Sequence, residues 1–201
     1  MQIYSPTRII NMAKISIATN FLLALAKIAL SIYFSTFYYF MYAIYNIGII
    51  VSKVIAIKQY SKDEVKEQEK EDLSKFHIIG IVVLLASFAF LGYGVFRYLQ
   101  PEPTNYGTIA GVTIATITVV ELYFAIRGLI ITRRNKEPML IAIKLVNLVS
   151  AITSIALTQT ALLSFTAAEF TTAAGTGAMV FGALTSVIGF YMLFTNKIYK
   201  M

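Results

Sequence analysis

Neutral polar side chains interrupt two long apolar stretches of this sequence, and they are its first candidates for a binding site. One set lies in FMYAIYNIGIIVSK, residues 40–53, and consists of Tyr42, Tyr45 and Asn46. The second set, further along the chain, consists of Asn147, Ser150 and Thr153. Hydroxyl and amide groups suit a weakly held cation or a small polar solute, and tyrosine rings can also face an organic cation. We therefore predict that these residues line a substrate cavity.

Charged side chains well inside the apolar stretches are a second set of candidates, because charges there are rare and are usually paired or functional. They are Lys27, Glu121 and Lys144. Because Glu121 and Lys144 lie on consecutive apolar stretches, we predict that they form a buried ion pair. The alternative is that Glu121 carries a proton during transport.

The sequence contains no recognisable catalytic or metal-binding motif. It has no cysteine, which excludes disulfides and thiolate metal ligands, and His77 is its only histidine. The patterns HExxH, GxSxG and GxGxxG, and the phosphate-binding loop with its lysine, are absent from it. We therefore predict that the protein is not an enzyme, binds no cofactor and has no metal site.

Composition indicates that these side chains sit in a lipid bilayer. The hydrophobic fraction is 58% and the charged fraction is 13%, whereas charged residues make up roughly a quarter of soluble domains. A helix needs about 20 apolar residues to cross the hydrocarbon core, and six stretches are long enough: 12–33, 37–58, 76–99, 107–131, 138–165 and 173–196. The sequence thus predicts an all-α membrane protein, a bundle of six transmembrane helices in one domain over residues 1–201.

The positions of the charges predict how this bundle is oriented. Lysines and arginines cluster near both termini, in a charged loop at 59–75 and at 133–136, whereas the opposite loops hold Glu102 and Glu169 and no basic residue. By the positive-inside rule, both termini and the basic loops lie in the cytoplasm, and the protein lies in the cell membrane. Arg97 is the exception, and we expect its side chain to extend outward. The net charge of +7 thus reflects topology, and we predict no nucleic-acid partner.

The charged loop 59–75 has its own helical pattern. Glu71 and Lys75 are four positions apart, and Glu67 and Lys70 are three apart, so each pair would lie on one helix face. This spacing predicts a solvated helical hairpin tip. The alternative is a docking surface for another protein.

Small residues recur every fourth position on two of the predicted helices. The fourth helix carries Gly107, Gly111 and Ala115, and the sixth carries Ala174, Ala178, Gly182 and Ser186. Such ridges allow helix backbones to approach closely inside a bilayer. We predict that they pack within the chain; the alternative is that they form the face of a homodimer.

Three segments together resemble the cation diffusion facilitator family of membrane transporters. LLALAKIAL at 22–30 with STFYYFMYAIYNIGIIVS at 35–52 is similar to the family's first two helices, including Lys27. YGVFRYLQPEP at 93–103 looks like the end of its third helix, and KEPMLIAIKLVNLVSAITS at 136–154 looks like its fifth helix. The resemblance implies the family's six-helix bundle with cytoplasmic termini, and a dimer, which is usual in the family.

The resemblance also implies where a metal would sit. In the family, helices two and five each carry a carboxylate or histidine four residues before an aspartate, which places four ligands around one zinc ion. The matching positions here are Tyr45, Ile49, Val146 and Ser150. None of them is a good zinc ligand, so we predict that the zinc site is lost. The sequence ends five residues after the last predicted helix, so we also expect it to lack the family's cytoplasmic metal-binding domain.

Two functions follow from this pattern. The first is a divergent transporter that moves a cation or small polar solute by alternating access. The second is a non-transporting membrane scaffold or partner subunit that retains the transporter fold; Ile49 and Val146 favour it, because branched aliphatic side chains fill a site. A water-filled cavity between helices two and five would favour transport, whereas a dry and filled contact would favour the scaffold.

Overall fold

Almost every residue that the structure describes is helical. The computed structural model describes residues 6–34, 37–61, 68–100, 138–163 and 171–195, and between them also 112, 115, 116, 118, 119, 122, 123, 125–127, 129 and 130. The prediction of an all-α protein is therefore confirmed for this part of the chain.

Five helices account for most of these residues. In chain order they are α1 (Pro6–Phe34), α2 (Phe37–Tyr60), α3 (Gln68–Leu99), α4 (Pro138–Leu163) and α5 (Thr171–Phe194). The described residues between 112 and 130 are also helical and are called the 112–130 segment. Helices α4 and α5 correspond to the fifth and sixth helices predicted from the sequence.

Three of the described helices are long and apolar enough to cross a membrane. The spans are Lys70–Leu99 in α3, Pro138–Thr160 in α4 and Thr172–Phe194 in α5. Their length and composition support the membrane character that the sequence predicts. The count of six spans and the cytoplasmic position of both termini stay predictions.

Helix α3 begins at Gln68, well before the predicted helix start at residue 76. The second half of the charged loop is therefore helical. Gln59, near the end of α2, donates a hydrogen bond from Nε2 to Oδ1 of Asp72 at 2.9 Å, and both side chains are buried. This hydrogen bond ties the first turns of α3 to α2, so these charged residues extend a helix.

Helices α3 and α5 approach each other through glycines. A Cβ atom built on Gly94 would lie 2.6 Å from the backbone nitrogen of Met179, and one on Gly175 would lie 2.5 Å from that of Tyr98. Gly80, nearer the start of α3, faces the last turns of α5, so the two helices run antiparallel. We call this contact the glycine seam; its glycines are Gly80, Gly94, Gly175, Gly182 and Gly189. Because backbones touch here, one added methyl group would push the helices apart.

The predicted small-residue ridge of the sixth helix takes part in this seam. Ala178 and Gly182 lie against α3, and Ala174 and Ser186 are buried as well. Because this ridge packs inside the chain, a homodimer, which stays a prediction, would need another surface. Of the second predicted ridge, Ala115 is half-buried, and two positions lie outside the described residues: Gly107 and Gly111.

Arg97, in the last turn of α3, is buried and only 1% exposed. The expectation that its side chain extends outward is therefore wrong. Its backbone lies against Gly175, where a Cβ atom would come within 2.9 Å of the Arg97 carbonyl carbon. The close approach of α5 encloses this turn of α3, and sequence position alone does not show that.

Helices α2 and α4 lie at the centre of the bundle. Helix α2 contacts α1, α3 and α4, and the first turns of α4, residues 138–146, are buried throughout. Lys144 is among them, at 8% exposure. Its predicted partner Glu121 and the side chain of Lys27 lie outside the described residues, so the predicted ion pair stays a prediction.

Candidate functional site

The candidate site is the place where α2 crosses α4. Tyr45 and Ile49 are one helical turn apart on α2 and therefore share a face. Val146, Val149 and Thr153 recur at three- and four-residue spacing and share a face of α4. These five residues are called the α2–α4 contact. It contains three of the four positions that match the family's metal ligands.

A hydroxyl group from each helix meets one backbone carbonyl in this contact. The Tyr45 hydroxyl donates a hydrogen bond to the carbonyl oxygen of Val149 at 3.0 Å. The Thr153 hydroxyl lies 2.6 Å from the Tyr45 hydroxyl and 3.1 Å from the same carbonyl oxygen, and it donates its one proton to either. The hydroxyl oxygens of Tyr45 and Thr153 and the carbonyl oxygen of Val149 thus form one hydrogen-bonded group, and both hydroxyl protons are donated within it.

The rest of the α2–α4 contact is filled by apolar side chains. Tyr45 is 2% exposed, Ile49 1% and Val146 0%, and all three belong to one core cluster. The Tyr45 ring also packs against Phe90 of α3, with ring centroids 5.7 Å apart and planes tilted by 48°. Three of the four positions that match metal ligands are therefore occupied by the protein's own core.

Asn46 is buried, and it takes no part in the hydroxyl hydrogen bonds of this contact. It is seven positions before Lys53, so the two residues share a face of α2. Lys53 donates a hydrogen bond from Nζ to the hydroxyl oxygen of Ser16 on α1 at 2.7 Å. Asn46 therefore lies on the side of α2 that carries Lys53, which bonds to α1.

The other predicted cavity residues are more scattered. Asn147 and Ser150 are half-buried on α4, and the Ser150 carbonyl accepts a hydrogen bond from the Ser154 hydroxyl at 3.1 Å. The side chain of Tyr42 lies outside the described residues. Of the predicted set, the structure brings Tyr45 and Thr153 together.

A second group of hydroxyls lies on another face of α4, against the 112–130 segment. The Thr158 hydroxyl donates to the Thr118 hydroxyl at 2.8 Å. Thr118 in turn donates to the carbonyl oxygen of Ser154 at 3.3 Å. Helix α4 thus makes hydroxyl contacts with two neighbours.

The donor set of the α2–α4 contact suits no tightly held metal ion, because it offers neutral oxygens only. Among the residues that the structure describes, no three His, Asp or Glu side chains gather closely enough to hold one. What the arrangement can do chemically is accept and donate hydrogen bonds.

Sequence reasoning missed two participants. The Val149 carbonyl belongs to the backbone, and no side-chain pattern could have indicated it. Lys53 is 1% exposed and bonded to α1, although its charge alone predicts an exposed side chain. Its seven-residue spacing from Asn46 was the available signal, since it predicts one polar face on α2.

Comparison of the chain with protein-family models, with curated proteins and with solved structures finds no match. The resemblance to the cation diffusion facilitator family therefore stays a prediction from the sequence segments alone. The function is argued below from the site itself.

Proposed function

We propose that this protein is a non-transporting membrane scaffold or partner subunit that retains a transporter-like helix bundle. In this proposal the α2–α4 contact is a structural joint and the zinc site of the resembling family is lost. The bilayer is its environment, and it needs no cofactor.

The observation that supports this proposal is that the Tyr45 hydroxyl is already hydrogen-bonded within the protein. In a substrate site inside a membrane, a polar side chain should be available to a ligand. Here that hydroxyl donates to the Val149 carbonyl, and Ile49 and Val146 fill the adjoining positions with fully buried side chains. A filled contact is what a scaffold requires.

Flux measurement tests the proposal directly. We expect the purified full-length chain in liposomes to move zinc, manganese, protons and small organic cations no faster than empty liposomes. Tyr45→Phe should leave this baseline unchanged while it lowers the stability of the protein. The scaffold proposal would be contradicted if a solute crosses and its flux changes in Tyr45→Phe but not in the control Tyr98→Phe. Tyr98 is half-exposed. Stoichiometric zinc binding at micromolar concentration would contradict the loss of the zinc site.

The distance between α2 and α4, measured with spin labels, gives a test in which the scaffold predicts a signal and not only the absence of flux. The chain has no cysteine, so cysteines placed at Ile47 and Leu162 would carry the only two spin labels. Both side chains are exposed, at 47% and 43%, and they report on α2 and α4. A scaffold should give one narrow distance distribution, whereas alternating access should give two populations that shift with solute.

Transport of a cation or small polar solute is the second candidate, and buried amides favour it. Asn20 of α1 and Asn46 of α2 are each 7% exposed. The Nδ2 atom of each has no hydrogen-bond partner among the described residues. Unpaired buried donors are rare in proteins, and the oxygen of a passing solute would satisfy them.

Asn46→Leu separates the two candidates. If Asn46 is a leftover of a lost site, replacing it removes an unsatisfied polar group, so stability should rise and no flux should change. If Asn46 serves a solute, the substitution should abolish flux in the same liposomes. Asn11→Leu, at an exposed position of α1, is the control for a change of amide to leucine.

A further inference from the structure

A pocket lies between the end of α2 and the start of α3. Its volume is about 300 Å³, and it is lined by Ile55, Lys58, Gln59 and Lys75. Ile55 is ten residues beyond Tyr45, which is about 15 Å along a helix axis. The pocket is therefore separate from the α2–α4 contact, and its location corresponds to the predicted cytoplasmic surface.

The lining of this pocket is cationic. Lys58 is exposed and Lys75 is half-buried, and within the described part of the chain no hydrogen bond or ion pair engages either ammonium group. The acidic residues of the nearby turn, Glu71 and Asp72, do not line the pocket. Asp72 is buried and accepts the hydrogen bond from Gln59, so the charged side chains among the described lining residues are the two lysines.

The two helices that carry these lysines are joined beside the pocket. The hydrogen bond from Gln59 to Asp72 joins α2 to α3 directly beside the pocket, at 2.9 Å between buried side chains. Lys58 precedes Gln59 on α2, and Lys75 lies one turn after Asp72 on α3. The joint thus sets the spacing of the two backbone positions that carry the lysines.

Two lysines around one small pocket suit a phosphate group, which accepts charge-assisted hydrogen bonds from several donors. Ile55 adds an apolar wall on the side toward the membrane span. Basic pockets between membrane helices at the cytoplasmic side are typical sites for phosphate headgroups. We propose that this pocket binds a phosphate group, carried either by an anionic lipid or by a soluble phosphate anion. The proposal does not depend on whether the protein is a scaffold or a transporter.

The test uses the full-length chain in a neutral detergent. Phosphatidic acid, diacylglycerol and inorganic phosphate are titrated separately, and binding is measured by calorimetry and by the shift in thermal unfolding. We expect phosphatidic acid to bind and diacylglycerol, which lacks the phosphate, not to bind. Binding of phosphatidic acid alone identifies a lipid headgroup as the source, whereas equal binding of inorganic phosphate identifies a soluble anion; both results support the proposal.

Variants then locate the site. Lys58→Gln with Lys75→Gln should weaken binding by roughly tenfold to thirtyfold, because each lysine near a phosphate contributes about 1 kcal/mol. Lys58→Arg with Lys75→Arg should retain binding, which excludes misfolding as the cause. The matched control is Lys14→Gln with Lys70→Gln, which removes the same charge at two exposed positions. An equal loss in the control pair, or no binding of any phosphate probe by the native chain, would overturn the proposal.

Discussion

The glycine seam and the α2–α4 contact hold this bundle together in opposite ways. In the seam, α3 and α5 meet backbone to backbone, with no space for even a Cβ atom on Gly94 or Gly175. In the α2–α4 contact, a long side chain reaches across, and the Tyr45 hydroxyl bonds to the Val149 carbonyl at 3.0 Å. One contact is made by removing side chains, and the other by adding a polar one.

The difference teaches which contact tolerates change. Close backbone packing has one geometry, because any shift opens a gap or creates a clash. A hydrogen-bonded hydroxyl can exchange its partner for water or for another polar group with little loss of energy. We therefore expect substitutions in the seam to lower stability more than substitutions in the α2–α4 contact.

The largest effect should come from filling the seam. Gly94→Ala places a methyl group against the backbone of Met179, and we expect the free energy of unfolding to fall by about 2–3 kcal/mol through overpacking. Unfolding in detergent, followed by circular dichroism, measures it. Gly92→Ala is the matched control on the same helix, because a Cβ atom there meets nothing within 4 Å; it should be neutral or raise stability by about 0.5–1 kcal/mol. If Gly94→Ala and Gly92→Ala change the free energy of unfolding equally, close backbone packing is not what makes the seam sensitive to substitution.

A smaller effect should come from the α2–α4 contact. Tyr45→Phe removes the hydroxyl that donates to the Val149 carbonyl and leaves that buried oxygen to Thr153 alone. We expect a loss of about 1–2 kcal/mol in the free energy of unfolding. Tyr98→Phe removes the same atom from a side chain that is 50% exposed, and it should change stability by less than about 0.5 kcal/mol. If Tyr98→Phe destabilises as much as Tyr45→Phe, the hydroxyl set is not what holds α2 to α4.

The smallest effect should be the coupling between the two hydroxyls. We expect a double-mutant cycle of Tyr45→Phe and Thr153→Val to give an interaction energy of about 0.5–1 kcal/mol, because the two groups share one carbonyl. The control cycle pairs Tyr45→Phe with Thr185→Val, since Thr185 on α5 bonds to carbonyls of its own helix. That control should be additive. Additivity in both cycles would mean that Tyr45 and Thr153 act independently.

Hydropathy and helical spacing predicted a substantial part of this molecule. Apolar length indicated helices and a membrane, and the four-residue spacing on the sixth helix placed Ala178 and Gly182 in a close contact. The same spacing on α2 put Tyr45 and Ile49 on one face. These inferences succeed because they depend on the period of a single helix.

The failures all depend on which helix lies next to a given face. Arg97 is buried because α5 approaches it closely. Lys53 is buried and bonds to a hydroxyl on α1. The partner of Tyr45 is a backbone carbonyl. Hydropathy treats lysine and arginine as markers of the membrane surface. It contains no information about a neighbour that can enclose them, so these contacts required the three-dimensional structure.

The hydroxyls of α4 have a consequence for how the protein is assembled. Ser154 and Thr160 each donate to the carbonyl four residues earlier in their own helix, at 3.1 and 2.9 Å, and Thr153 can do the same. A helix that satisfies its own polar groups can enter lipid before any neighbour is present. The hydroxyls of Ser154, Thr160 and Thr153 can therefore be satisfied without a neighbouring helix, and α2 adds the Tyr45 hydroxyl to a carbonyl that Thr153 already faces.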